Sequence, residues 1–247
     1  MPNGSLDRFI GKPFLDWETR YKILTGLASA LLYLHEECGS PVVHRDVKPN
    51  NIMLDSNYTP HLGDFGLARL IQNDKALAVV STMLAGTPGY LAPELGFTGK
   101  AGPETDVYSF GMVVLELVCG RRSRGMEGES SLVDMVWNLV GKDELLVGVD
   151  PLLQGRYVED EVKRLLVIGL ACLHPDSGIR PNMRKVVQIL LNPNEPLMDL
   201  PKKRPNMVRV SLSHVSSSYS STTMVDLGPK SVSASGAGAD EIVIHYD

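Results

Sequence analysis

The sequence predicts a mainly helical lobe with one short β-hairpin and a disordered tail, on three observations. Apolar residues recur at helical spacing through residues 16–38 and through four later segments. Two short apolar runs, Ile52-Met53-Leu54 and Pro60-His61-Leu62, flank the polar turn Asp55-Ser56-Asn57. Beyond Pro193 the composition changes: residues 211–223 are mostly Ser and Thr, and Ser233 to Ala239 holds only Ser, Gly and Ala. Such a stretch has too little apolar surface to offset the entropy of ordering it. The division expected is therefore a folded part over residues 1–193 and a disordered Ser/Gly-rich tail over 194–247, which includes the basic group Lys202-Lys203-Arg204 as a solvated stretch.

The first helix is expected over Asp16 to Cys38, with Trp17, Tyr21, Leu24, Ala28, Leu31 and Leu32 on its apolar stripe. Asp16 is a good N-cap, and Gly39 with Pro41 ends the helix. Val42-Val43 leads into a polar loop at His44, and the hairpin that follows holds Asn51 near Asp64. Residues 66–92 have few regular patterns. Pro103 to Cys119 is a helix whose apolar residues (Val107, Phe110, Val113, Val114, Leu117) exceed one stripe, so it is expected to be buried on most sides. Further helices are expected over Ser131–Val140, Val158–Cys172 and Met183–Leu191.

Composition narrows the function classes. At 247 residues, 43% hydrophobic and 21% charged, the chain is an ordinary globular one, and its net charge of −5 gives no basic face for nucleic acid. Its first residues lack the basic start and apolar core of a secretory signal, and no run approaches the length of a membrane span. The odd set Cys38, Cys119 and Cys172, without C-x-x-C spacing, argues against a disulfide framework or a zinc site and for a cytosolic compartment.

The chemistry sits in two peptides, His44-Arg45-Asp46-Val47-Lys48-Pro49-Asn50-Asn51 and Asp64-Phe65-Gly66. A hydroxyl attacking the γ-phosphate of ATP must lose a proton and be held in line, and Asp46 is the candidate base. Lys48 can neutralise the transferred phosphoryl group. Asn51 and Asp64 each offer one oxygen to Mg2+, which keeps several waters and so leaves room for phosphate oxygens. Phe65 is expected to pack inward and Gly66 to permit the turn that follows. A lone Asp is most often a surface turn residue, and Asp-Phe-Gly is only a tripeptide; it is the joint occurrence, in order and spacing, that is specific.

With Gly86-Thr87-Pro88-Gly89-Tyr90-Leu91-Ala92-Pro93-Glu94 and Asp106-Val107-Tyr108-Ser109-Phe110-Gly111, these peptides identify the chain as resembling the C-terminal lobe of a eukaryotic protein kinase. It is most similar to plant receptor-like Ser/Thr kinases of the legume-lectin receptor type, over Met1 to about residue 193. The resemblance implies a protein substrate, ATP and Mg2+. It implies a Glu94–Arg180 ion pair and an Asp106 that receives backbone N–H groups from the catalytic loop. His44 is implied to be structural rather than basic. Arg45 is implied to bind a phosphorylated residue of the segment from Asp64 to Glu94, with Ser81 and Thr82 the expected acceptors. Thr87 is expected to hydrogen-bond to Lys48 and Asp46 at the substrate site.

One departure is local: Gly102 caps the helix at Pro103 where relatives often carry a hydroxyl. The larger one is at the front. Only 43 residues precede His44, and neither a G-x-G-x-x-G loop nor a V-A-I-K lysine occurs. The N-terminal lobe is thus expected to be absent. Two readings follow: a piece of an active kinase, facing the cytosol at the plasma membrane in a full-length receptor, or an inactive binding module that competes with full-length receptor kinases.

Overall fold

Asp16 starts the first long helix: its backbone is extended, and its side chain accepts the Thr19 N–H. The computed structural model describes residues 1–70, 86–123, 131–205, 207–211 and 241–245. Helix α1 spans Trp17–Leu32 and runs directly into a π-helical turn, Tyr33–Glu37. The hairpin is as the turn residues predict: β3 (Ile52–Leu54) pairs antiparallel with β4 (Pro60–Leu62), Ile52 opposite Leu62. Asp55 Oδ1 accepts from Asn57 and Thr59 N–H and so closes the turn. Two pairings had no local signal. Strand β1 (Gly4–Ser5) adds to the hairpin beside β3, and β2 (Val42–Val43) pairs with β5 (Arg69–Leu70), tying the chain before His44 to the chain after Gly66.

The short helix α2 (Leu95–Thr98) precedes α3 (Pro103–Cys119), in which every residue from Thr105 to Cys119 is buried. Gly102 is its N-cap without a side-chain bond, Pro103 stands where a missing N–H costs nothing, and Gly120 closes it in the left-handed region. Helices α4 (Leu132–Gly141), α5 (Glu159–Cys172) and α6 (Met183–Leu191) complete the lobe. Helix α5 packs along α3, and α6 along α1. Gly111 permits the first contact, because a Cβ there would stand 2.7 Å from the Gly169 carbonyl oxygen. Cys119 and Cys172 are buried and Cys38 half-buried; burial pushes the Cys119 thiol up to about 12 and raises Cys172, so neither is reactive.

Buried charges fasten the lobe. Arg20 is 1% exposed; its guanidinium donates to the carbonyls of Leu15 (3.2 Å) and Leu117 (2.8 Å) and lies 2.8 Å from Asp150 Oδ2. The Leu117 carbonyl is one of the orphan acceptors at the end of α3, so one arginine fixes two helices. Nothing in the spacing around Arg20 announced this.

The compact unit runs from Met1 to Arg204, past the boundary expected at residue 193. The indole of Trp137 donates to the Pro201 carbonyl (3.0 Å), and Arg204 pairs with Asp134 (2.6 Å). Arg164 donates to the carbonyls of Pro193 and Glu195, while Met198 and Leu200 pack on the core. The chain here has no periodicity, so composition gave no warning that α4 and α5 bind its carbonyls. Residues 205–247 form a separate unit in which β6 (Met207–Ser211) pairs antiparallel with β7 (Glu241–His245). These strands, within the stretch expected to lack structure, are rich in β-branched residues.

Candidate active site

A single 3-10 turn, Pro49–Asn51, separates Lys48 from β3 and folds the loop back on itself, so that Asp46, Lys48 and Asn51 meet. Asp46 Oδ2 accepts from Lys48 Nζ (2.6 Å) and Asn51 Nδ2 (2.9 Å), and Oδ1 accepts from the Thr87 hydroxyl (2.8 Å). Lys48 Nζ also donates to Thr87 Oγ1 (2.8 Å), and Asn51 Nδ2 to the Asp46 carbonyl (2.9 Å). Burial by itself would raise the Asp46 carboxyl; the bonds from Lys48, Thr87 and Asn51 outweigh it and hold the group below its ordinary 3.8. It is therefore ionised at neutral pH, the state a base needs.

The loop is held from behind by Asp106, which is fully buried near the start of α3. Its Oδ2 accepts from the His44 N–H (2.7 Å) and from His35 Nε2 (2.9 Å), and its Oδ1 from the Arg45 N–H (2.8 Å). Arg45 adopts φ 72°, a left-handed conformation that costs about 1–3 kcal/mol in a non-glycine residue, and the bond to Asp106 holds it there. His44 is buried, donates from Nε2 to the Gly63 carbonyl (2.9 Å), and accepts the Asp46 N–H at Nδ1 (3.3 Å). Both ring nitrogens are committed to backbone, so the imidazole braces the loop and has no lone pair left for a substrate proton.

Gly63 N–H donates to the Asn51 carbonyl (2.8 Å), so the hairpin delivers Asp64 beside Asn51. Asp64 is exposed and left-handed (φ 57°), and among the described residues its one hydrogen bond is a long contact of 3.4 Å from Gly66 N–H. Phe65 does not pack inward as expected: it is 48% exposed, and among the described residues the one ring it meets is that of His44, edge-on at 4.9 Å. The turn that carries it (Phe65–Leu67) contains no buried residue, and among the described residues no apolar wall receives the ring. The residues fit a hard divalent cation in kind. Both amide protons of Asn51 are spent on Asp46, which leaves its Oδ1 as the open acceptor, and Asp64 adds a carboxylate. Among the described residues there is no cluster of three His, Cys, Asp or Glu that could hold a metal ion.

Arg180 Nη1 and Nη2 each lie 2.7 Å from a Glu94 carboxylate oxygen. Its other donors reach the carbonyls of Glu104, His174 and Pro175, so all five N–H groups are used, and the guanidinium stacks on Tyr108 at 4.9 Å. Ser81 and Thr82 lie outside the described residues. Burial and then the like charge of Arg69 lower the Arg45 guanidinium from its ordinary value.

Sequence reasoning missed Glu116. It is fully buried in α3, accepts from Tyr90 Oη (2.7 Å) and Ser123 N–H (2.5 Å), and so joins the segment after Thr87 to the core. Burial raises its carboxyl above the ordinary 4.5, partly offset by those bonds. The available signal was a carboxylate inside an apolar run, the kind of residue that is buried only with partners.

Known proteins resemble this chain along most of its length. The chain is 51% identical over 217 residues to the Probable L-type lectin-domain containing receptor kinase S.7 of Arabidopsis thaliana, covering 84% of this chain and 31% of that protein. It is 49% identical over 245 residues to the L-type lectin-domain containing receptor kinase IX.1 of the same plant, covering 96% and 36%. With the L-type lectin-domain containing receptor kinase S.7 of Oryza sativa subsp. japonica the identity is 45% over 228 residues, covering 90% and 32%. The chain thus spans about a third of the length of the curated relatives it matches. No described helix is long and apolar enough to cross a membrane. A model of the protein kinase domain matches residues 1–190, and the chain belongs to the protein kinase family.

Proposed function

We propose that this chain supplies the base and metal-side groups for ATP-dependent phosphoryl transfer to Ser or Thr hydroxyls of a protein, as the cytosolic part of a plant receptor-like kinase. The observation that carries the reading is the closed set around Asp46, with Lys48, Asn51 and Thr87 all within 2.9 Å of its carboxylate. Asp46 orients the substrate hydroxyl and receives its proton. Lys48, shared between Asp46 and Thr87, carries the positive charge that meets the moving phosphoryl group. Thr87 holds the neighbouring segment at the site and favours an aliphatic hydroxyl over a tyrosine. Asn51 and Asp64 would hold Mg2+, which supplies neutralisation of phosphate charge when bound. Arg45 with Arg69 forms a receptor for phosphate on the segment between Asp64 and Glu94, with Ser81 and Thr82 as acceptors.

A second reading, an inactive binding module, is favoured by the exposure of Asp64 and Phe65. The experiment that separates them measures transfer from labelled ATP to a generic protein acceptor, first by the chain alone. It is then repeated with the chain joined in frame behind the glycine-loop half of a matched receptor kinase. Little or no turnover alone is expected, with turnover in the joined protein that Asp46→Asn lowers by about 10²–10⁴-fold. An inert joined protein, folded by its circular dichroism, would establish the binding module instead.

A further inference from the structure

A groove of about 280 Å³ lies between the π-helical turn after α1, the first turn of α3 and the loop before α6. Pro103 and Pro181, both half-buried, give it apolar surface, with the buried Val107 and Met183 also lining it; His35 and Arg180 contribute polar wall, and Glu36 and Glu104 line it as exposed carboxylates. Its charge is one-sided. Arg180 is neutralised by Glu94. Arg184 is shared between Glu36 (2.7 Å) and Glu37 (3.8 Å), and Glu104 has no ion pair among the described residues. The rim is therefore left negative, beside surface that favours an apolar contact.

The place matters as much as the charge. His35 reaches the groove from the π turn and bonds the same Asp106 oxygen that accepts the His44 N–H. One buried carboxylate thus separates this groove from the loop that carries Asp46. The chain's own cationic segment does not fill it, because Pro201 and Arg204 are held on α4 by Trp137 and Asp134. A second copy would bring the same negative rim and a net charge of −5, and like charges facing each other oppose docking.

We propose that this groove docks a short segment of a partner protein that presents a lysine or arginine next to a leucine- or methionine-sized side chain. The cation meets Glu104 and the rim of Glu36; the apolar neighbour lies on Pro103 and Pro181. Exposed ion pairs contribute little and are screened by salt, so the interaction is weak and salt-sensitive.

The test titrates the isotopically labelled full chain, without nucleotide, with acetyl-Gly-Lys-Leu-Gly-amide, its arginine version and its glutamate version. Amide shifts are expected around His35, Glu104 and Gly178 and at His44 and Arg45, with affinity near the millimolar range. Binding should weaken by about fivefold on raising salt from low to moderate, and by as much in Glu104→Lys, with Glu104→Gln between. The glutamate peptide should not bind. Equal binding to Glu104→Lys, equal binding of the glutamate peptide, shifts confined to other surfaces, or no shift at several millimolar peptide would each overturn the proposal. If Glu104→Lys lowers the melting temperature, Glu104→Gln and the salt series decide alone. Because no ATP is present, failure here is separate from failure of phosphoryl transfer.

Discussion

The loop from His44 to Asn51 and the segment from Asp64 to Leu70 lie side by side, yet they are built on opposite terms. In the first, the His44, Arg45 and Asp46 N–H groups and the side chains of Asp46, Lys48 and Asn51 all have partners within the lobe. In the second, Asp64, Phe65, Gly66, Arg69 and Leu70 are exposed, and the main restraints are the Gly63 bonds and the short β2–β5 pairing. The part of the site proposed to handle the proton is thus preorganised by the chain itself. The part proposed to meet metal and phosphate is exposed at Asp64.

The largest effect that would break this contrast concerns Asp106 and Asp64. Asp106→Ala strands three donors in the core and should destabilise the lobe by at least about 3 kcal/mol, whereas Asp64→Ala should change stability by no more than about 0.5 kcal/mol. Urea unfolding of both variants checks this, and similar losses would mean the two segments are equally fastened.

A smaller effect is a pH slope. The Glu116 carboxyl is raised in the fold, so the native state binds more protons than the unfolded chain above 4.5. Its contribution is fully present below 4.5 and falls as pH rises toward the folded value. Asp46 runs the other way: its carboxyl is lowered, so its contribution is present above 3.8 and lost as pH falls below it. Unfolding measured between pH 4.5 and 8 should show a decline that Glu116→Gln flattens; an unchanged slope would remove Glu116 as its source. The smallest effect belongs to Phe65. Phe65→Ser should leave the melting temperature of this chain nearly unchanged, since exposed substitutions fall within about 0.5 kcal/mol. A large drop would show that the ring is buried in solution.

Local pattern carried most of the helices. Helices α3 and α6 fall on the expected residues, and α4 and α5 begin one residue later than expected, at Leu132 and Glu159. Their apolar periodicity and caps are written within each segment. Asp46, Lys48, Asn51 and Thr87 come together because a short loop and one motif residue specify them, and the loop residues lie too close in sequence to scatter. What stayed hidden depends on distant partners. Arg20 finds Asp150 across 130 residues of chain, and Tyr90 finds Glu116 across another element. Strand β1 is two residues long and takes its pairing from β3. The inward Phe65 failed for a related reason: apolar character states a preference, but burial needs a wall, and nothing local says whether one is supplied.

The carbonyls of Pro193, Glu195 and Pro201 also set where this protein can be shortened. Cutting at residue 193 would leave the Trp137 indole and part of the Arg164 guanidinium without acceptors and uncover the apolar surface under Met198 and Leu200. A protease should therefore respect the stretch up to Arg204, and a tag or fusion partner belongs after that residue, where removal of the remainder spares the seam.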